Sequence, residues 1–186
     1  ATIAGLHAFQ KYFFVVRAVD SSGNEDANVV EASASTLDVT APTFGGAKTV
    51  TGTDAHEVKV TWDPATDNGS AASAVHYDVF ASSTQGGENF SSVSVSTAAG
   101  ATFATVTGLP EAAKVFVIVR AVDESGNHDN NMHEVSGITL DKTPRTFSGL
   151  ASATTVGTTI NLAWADATDN VDTAAGIKYD IFQSTT

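Results

Sequence analysis

Residues 114–127 read KVFVIVRAVDESGN, and residues 11–24 read KYFFVVRAVDSSGN. Each is an apolar run broken by one arginine, Arg120 or Arg17, and closed by Asp-x-Ser-Gly-Asn. From Val115 to Val122 both faces of an extended chain are apolar except at Arg120, the pattern of a strand covered on both sides. Asp-x-Ser-Gly-Asn is turn chemistry, so the strand doubles back. Lys11 and Lys114 stand 103 residues apart, and a stretch this long repeated at a fixed spacing marks an array of similar units.

The match extends outward in both directions. ATIAGL (1–6) answers ATVTGL (104–109), and STLDVTAPTF (35–44) answers ITLDKTPRTF (138–147). Beyond them VKVTWDPATDN (58–68) answers INLAWADATDN (160–170), and HYDVFASST (76–84) answers KYDIFQSTT (178–186), at an offset of 102. The period divides the chain into the back part of one copy (1–39), a complete copy (40–141) and the front part of another (142–186). Both ends are therefore expected to be seams inside folding units. Either the chain is a stretch of a longer tandem array, or neighbouring chains complete its two partial copies.

Within 40–141, strand signals dominate. Val58, Val60 and Trp62 alternate with Lys59 and Thr61; Tyr77 and Val79 with Asp78 and Phe80; Val93 and Val95 with Ser94 and Ser96. Phe103 and Val106 mark a further strand, and Asp67-Asn68-Gly69, Gly86-Gly87, Gly100 and Gly108-Leu109-Pro110 supply turns. About seven short strands in about 100 residues, without a helical period, predict an all-β sandwich. Composition fits a packed chain: 42% of residues are apolar and only 16% charged, unlike a disordered acidic segment. The absence of cysteine removes disulfides, thiolate chemistry and Cys-based zinc sites. A formal charge of −12 repels phosphate backbones, which argues against nucleic acid and anionic membranes as partners. No apolar run reaches the ~18 residues of a transmembrane helix, and the opening residues lack a signal peptide's basic and apolar regions.

Trp62 in the second strand, Tyr77 opening the third, Gly108-Leu109-Pro110 before the sixth and VRAVDESGN (119–127) across the last hairpin occur together in this copy. It resembles a fibronectin type III domain, an immunoglobulin-like β-sandwich. Trp164, Tyr179, Gly5-Leu6 and VRAVDSSGN (16–24) repeat the same elements, and WDPATDN and YDVF are similar to the bacterial version of the family. Trp62, Tyr77, Val79, Val117, Val119 and Ala121 are expected between two sheets, where a buried Trp or Tyr contributes about 2–3 kcal/mol by area. A sandwich of this size has core enough to fold without disulfides. The family also has a tyrosine early in the sixth strand whose hydroxyl bonds back to the chain. Tyr12 stands there in the first copy, but Val115 replaces it in the complete one.

Catalysis lacks an inventory. A hydrolase nucleophile needs a base and an orienting acid, and none of His7, His56, His76, His128 and His133 recurs at an equivalent position. His128 and His133 lie near Asp129 and Glu134, but at no zinc-ligand spacing, and read as solvated loop histidines. In the fold the resemblance implies, the loop after the second strand and the last hairpin share one pole, where the incoming linker arrives. That pole would gather Asp38, Asp63, Asp67, Asn68, Asp123 and Asn127, with Glu124 and Asp129 nearby. Hard oxygen donors at a domain junction suit calcium, which would stiffen it; the same residues also serve as turn formers with solvated acids.

Period two turns Phe80, Phe116 and Ile118 away from the core, as it does Phe13 and Val15 in the first copy and Phe182 in the third. Outward aromatics on one sheet predict a protein contact surface, unless neighbouring side chains cover them. Trp62 and Trp164 belong to the core, which leaves a carbohydrate-binding reading without platforms. The linkers Leu37–Thr43 and Leu140–Thr146 are short and stiffened by Pro42 and Pro144. Modules so joined form a rod of roughly 25–35 Å per unit. The leading expectation is a non-enzymatic structural or spacer module of a repeat-containing bacterial surface or secreted protein, hence extracellular. Its partners would be further copies or neighbouring subunits, including a filament completed head to tail. The alternative is an accessory or carbohydrate-associated module of a secreted enzyme whose catalytic domain lies outside this stretch.

Overall fold

The computed structural model describes residues 1–185; Thr186, the end of the 142–186 stretch, lies outside the described residues. The strands are β1 (Lys11–Val15), β2 (Glu31–Ser35), β3 (Ala47–Asp54), β4 (Glu57–Trp62), β5 (His76–Ser82), β6 (Val95–Ser96), β7 (Phe103–Thr107), β8 (Lys114–Val122), β9 (Val135–Ile138), β10 (Leu150–Val156) and β11 (Thr159–Trp164). Among the described residues, helix is confined to one 3-10 turn at Ala174–Gly176. The middle of the chain forms two facing antiparallel sheets, β3-β4-β7 and β6-β5-β8-β9. The hairpins β1-β2 and β10-β11 stand on either side of it in sequence and correspond to β8-β9 and β3-β4.

Alternation in the sequence becomes the core directly. Val58, Val60 and Trp62 of β4 meet Tyr77 and Val79 of β5 and Val115, Val117, Val119 and Ala121 of β8 between the sheets. The Tyr77 ring packs 5.1 Å from Phe44 and 5.2 Å from Trp62. Both polar tips are paired: Trp62 Nε1 donates to the Ala101 carbonyl at 3.0 Å, and the Tyr77 hydroxyl accepts from the Ala65 amide at 2.8 Å. The third copy repeats the arrangement, with Tyr179 5.3 Å from both Phe147 and Trp164 and accepting from the Ala167 amide at 2.8 Å.

The strand expected around Val93 and Val95 is reduced to two residues. The Ser94 hydroxyl accepts from the Ala81 amide at 3.0 Å, a side chain taking a place that the backbone ladder would otherwise fill. On the opposite side, β3 and β9 close the two sheets against each other. A Cβ on Gly52 would lie 2.2 Å from the Ile138 carbonyl oxygen, and one on Gly137 would lie 2.6 Å from Val50 Cγ1. Only glycine permits this approach.

The exchange at the sixth strand is a paired one. The Tyr12 hydroxyl accepts from the His7 amide at 2.9 Å. The position equivalent to His7 in the complete copy is Pro110, which has no amide hydrogen, and the tyrosine's place is taken by buried Val115. Donor and acceptor are lost together, so neither is left orphaned. A threonine ties the same turn in both copies: Thr36 Oγ1 donates to the His7 carbonyl at 2.6 Å, and Thr139 Oγ1 donates to the Pro110 carbonyl at 2.7 Å.

Candidate functional site

Three segments converge where the chain enters the complete sandwich. The linker brings Asp38, the β4–β5 loop brings Asp67, and the end of β8 brings Asp123; one carboxylate oxygen from each lies within 4.8 Å of the other two. Asp38 and Asp123 are buried, at 5% and 2% exposure. Backbone donors aim the carboxylates. Asp67 Oδ2 accepts from the Gly69 amide at 2.8 Å and the Ser70 amide at 2.7 Å. Asp123 Oδ1 accepts from the Asn127 amide at 2.8 Å, and Asp38 Oδ1 from the Thr40 amide at 3.1 Å. Asp38 Oδ2 and Asp67 Oδ1 are buried without a hydrogen-bond donor. Among the described residues, no lysine or arginine forms an ion pair with any of the three.

The other expected ligands take different roles. Asp63 is not part of the cluster: its side chain is 74% exposed and pairs with Lys48 at 2.8 Å. It directly follows inward-facing Trp62, so the strand alternation turns it to the outer face. Asn127 presents its amide nitrogen rather than its oxygen, donating to Asp123 Oδ2 at 2.8 Å and to the Asp38 carbonyl at 3.2 Å, which ties hairpin to linker. Asn68 likewise presents its nitrogen, 3.4 Å from Asp38 Oδ1. Ser70, buried, accepts from the Glu124 amide at 3.3 Å and joins the loop to the hairpin. Asp129 faces elsewhere: it accepts from the amides of Ala121 and Asn131, and burial pushes its carboxyl above the ordinary carboxylate range despite those bonds.

The histidines are spread over the surface. His56 Nδ1 meets the Leu109 carbonyl at 2.9 Å, while His128 and His133 are exposed. Glu134 is occupied by the Gly86 amide at 2.6 Å. Burial, followed by the nearby Glu134 charge, raises the Glu88 carboxyl above its usual range.

The expected contact face needs correction. Phe80 and Ile118 do point away from the inter-sheet core, yet both are 3% exposed. Phe90, on the segment between β5 and β6, packs edge-on at 5.1 Å from Phe80, and the Arg120 guanidinium lies 3.6 Å above Phe90. Phe116 is half-buried with Lys114 Nζ 4.8 Å from its ring. Phe13, Val15 and Phe182, their counterparts in the partial copies, are exposed. Cover supplied by a loop outside the strand leaves no mark in strand periodicity.

The outgoing pole holds a residue that the sequence reading passed over. Glu111 accepts from the amides of Lys142 and Thr143 in the linker, from the Thr143 hydroxyl at 2.6 Å and from Asn170 Nδ2 at 3.0 Å in the third copy. These bonds, the Thr143 hydroxyl foremost, hold its carboxyl below the ordinary range. The available signal was a difference between copies: Ala8 occupies the equivalent position in the first.

No family model matches the chain. It is 33% identical over 196 aligned residues to exoglucanase B of Cellulomonas fimi, covering 100% of this chain and 17% of that protein. It is 28% identical to chitinase A1 of Niallia circulans, over 80% of this chain and 20% of that protein. Exoglucanase A of Cellulomonas fimi is 32% identical, over 80% of this chain and 16% of the relative. The chain thus spans a fifth or less of these proteins' length. Among solved structures, the FN1–FN3 domains of chicken CNTN1 align with TM-score 0.47 and 15% identity, covering 74% of this chain and 45% of that one. The sixth fibronectin type III domain of human fibronectin type III domain containing protein 3 aligns with TM-score 0.43 and 16% identity, covering 59% and 96%.

Proposed function

We infer, from the premise that this chain is a run of fibronectin type III modules, that it is the non-catalytic spacer of an extracellular bacterial enzyme acting on an insoluble polysaccharide. The modules follow the 1–39, 40–141 and 142–186 divisions of the repeat. The observation that carries this reading is that the complete sandwich grips both of its linkers. Asn127 holds the Asp38 carbonyl at 3.2 Å at one pole, and Glu111 holds the Thr143 amide at 2.8 Å at the other. Linkers fixed in this way keep neighbouring modules at a set separation, which is what a spacer supplies. The relatives named for glucan and chitin substrates favour a polysaccharide-acting parent over a surface filament, and such polymers are met outside the cell.

The chain expressed alone is expected to release no sugar from cellulose or chitin. Its small-angle scattering should give a radius of gyration well above the roughly 16 Å of a compact 186-residue globule. Hydrolysis by the chain, or a radius at the globular value, would overturn the reading.

A further inference from the structure

We propose that Asp38, Asp67 and Asp123 bind a divalent cation of calcium's size, joining the incoming linker to the β4–β5 loop and the β8–β9 hairpin. The spacing of the three carboxylates fits a single ion. Two oxygens bound to one calcium at about 2.4 Å lie no more than about 4.8 Å apart, and the three carboxylate oxygens lie within 4.8 Å of one another. Two of the carboxylate oxygens are also orphaned. Asp38 is 95% removed from solvent by its 5% exposure, and its Oδ2 has no donor; neither has the buried Asp67 Oδ1. Buried acceptors without partners are uncommon in native proteins, and an ion is one standard answer. The backbone bonds to Asp67 Oδ2 and Asp38 Oδ1 account for the other side of those two carboxylates and fix their direction, while Asp123, which lends the third oxygen, is held by the Asn127 amide at Oδ1 and by Asn127 Nδ2 at Oδ2.

Gly69 completes the cradle. A Cβ there would sit 2.3 Å from Asp38 Oδ2, so any other residue would displace that oxygen. The three positions recur through the array: Asp20 matches Asp123, Asp141 matches Asp38, and Asp169 matches Asp67. Their supports recur as well. Asn24 donates its amide to Asp20 Oδ1 at 2.9 Å and its Nδ2 to Asp20 Oδ2 at 2.8 Å, as Asn127 does for Asp123. Asp169 accepts from the amides of Val171 and Asp172, both at 2.9 Å, as Asp67 does two and three residues on. Donors of oxygen alone, drawn from three separate segments, suit calcium's large and irregular shell better than magnesium's strict octahedron. Cation binding is independent of the spacer reading; only its consequence, a stiffer junction, rests on it.

The test is calorimetric titration of the chelator-treated 186-residue chain with calcium and, separately, magnesium, together with thermal unfolding in each ion. Calcium is expected to bind with a dissociation constant of about 10⁻⁴–10⁻³ M, as in extracellular modules. At 10-fold excess over that constant the native-to-unfolded ratio rises about elevenfold, moving Tm up by about 3–6 °C. Asp38→Asn and Asp67→Asn should abolish this response, and Asp63→Asn should keep it. Absence of heat and of any Tm shift in the wild-type chain with either ion would overturn the proposal, whether or not the variants fold. So would variants that melt higher than wild type while wild type ignores calcium, because the three carboxylates would then only repel one another.

Discussion

At the incoming linker, three carboxylates face one another and asparagines, Asn127 and Asn68, make the side-chain bonds to the linker. At the outgoing linker, one carboxylate, Glu111, collects the linker's own amides and a hydroxyl, and Lys142 reaches back to Asp54 at 2.8 Å. The first junction gathers negative charge and the second disperses it. The steric pairing is reversed too. Phe9 lies against Gly69, where a Cβ would come within 2.9 Å of its ring; at the equivalent positions of the second junction stand Ala112 and Val171. Copies with the same core thus carry different couplings. The core is constrained by packing at every position, whereas a junction needs only that its two sides suit each other.

Exchanging these features between junctions tests the contrast, and the largest effect belongs to Gly69→Val. It imports the third copy's residue into a place with no room for it and should cost about 1–3 kcal/mol in urea denaturation. Phe9→Ala in the same chain should recover part of that loss; strict additivity of the two would mean that Phe9 and Gly69 are not coupled. Next comes Asn127→Ala, which strands Asp123 Oδ2 and frees the Asp38 carbonyl, at about 1–2 kcal/mol. Asn24→Ala, its exposed counterpart, should cost under about 0.5 kcal/mol, and equal losses would dissolve the distinction between a complete pole and an open one.

Acid should loosen the outgoing side. The Thr143 hydroxyl chiefly holds Glu111, and the Lys142 ammonium chiefly holds Asp54, below the ordinary carboxylate range. Folded values lie under unfolded ones, so this contribution is full above the ordinary range and is lost as pH falls through the lowered values. Amide exchange at Lys142 and Thr143 should quicken over that window, and Glu111→Gln should weaken the pH dependence. Smallest is the response to salt: raising it to about 1 M should weaken the exposed Lys142–Asp54 pair while leaving overall stability nearly unchanged.

The sheets were legible in the sequence because period two is a local property. Trp62, Tyr77, Val79, Val117, Val119 and Ala121 all lie in the core that alternation assigned to them. Asp38, Asp67 and Asp123 were legible as a group because loops of this fold share a pole. Asp63 belonged to the strand's outer face, which alternation from Trp62 already implied. The direction of the Asn127 amide depends on carbonyls 87 and 89 residues away and has no sequence signature. The covering of Phe80 by Phe90 comes from an irregular loop with no period to read, and the grip of Glu111 on Thr143 is non-local; only comparison of Glu111 with Ala8 hinted that the second had changed.

The meeting of Gly52 and Gly137 has a consequence for the array as a whole. Adjacent units of similar sequence are the neighbours most prone to trade strands while folding. An open border on β3 would invite the corresponding strand of the next unit. With the backbone of β9 drawn against it, and Leu140 donating to the Asp54 carbonyl at 3.0 Å, part of that border is covered from within. Two missing side chains thereby help a chain of look-alikes fold each unit with its own strands.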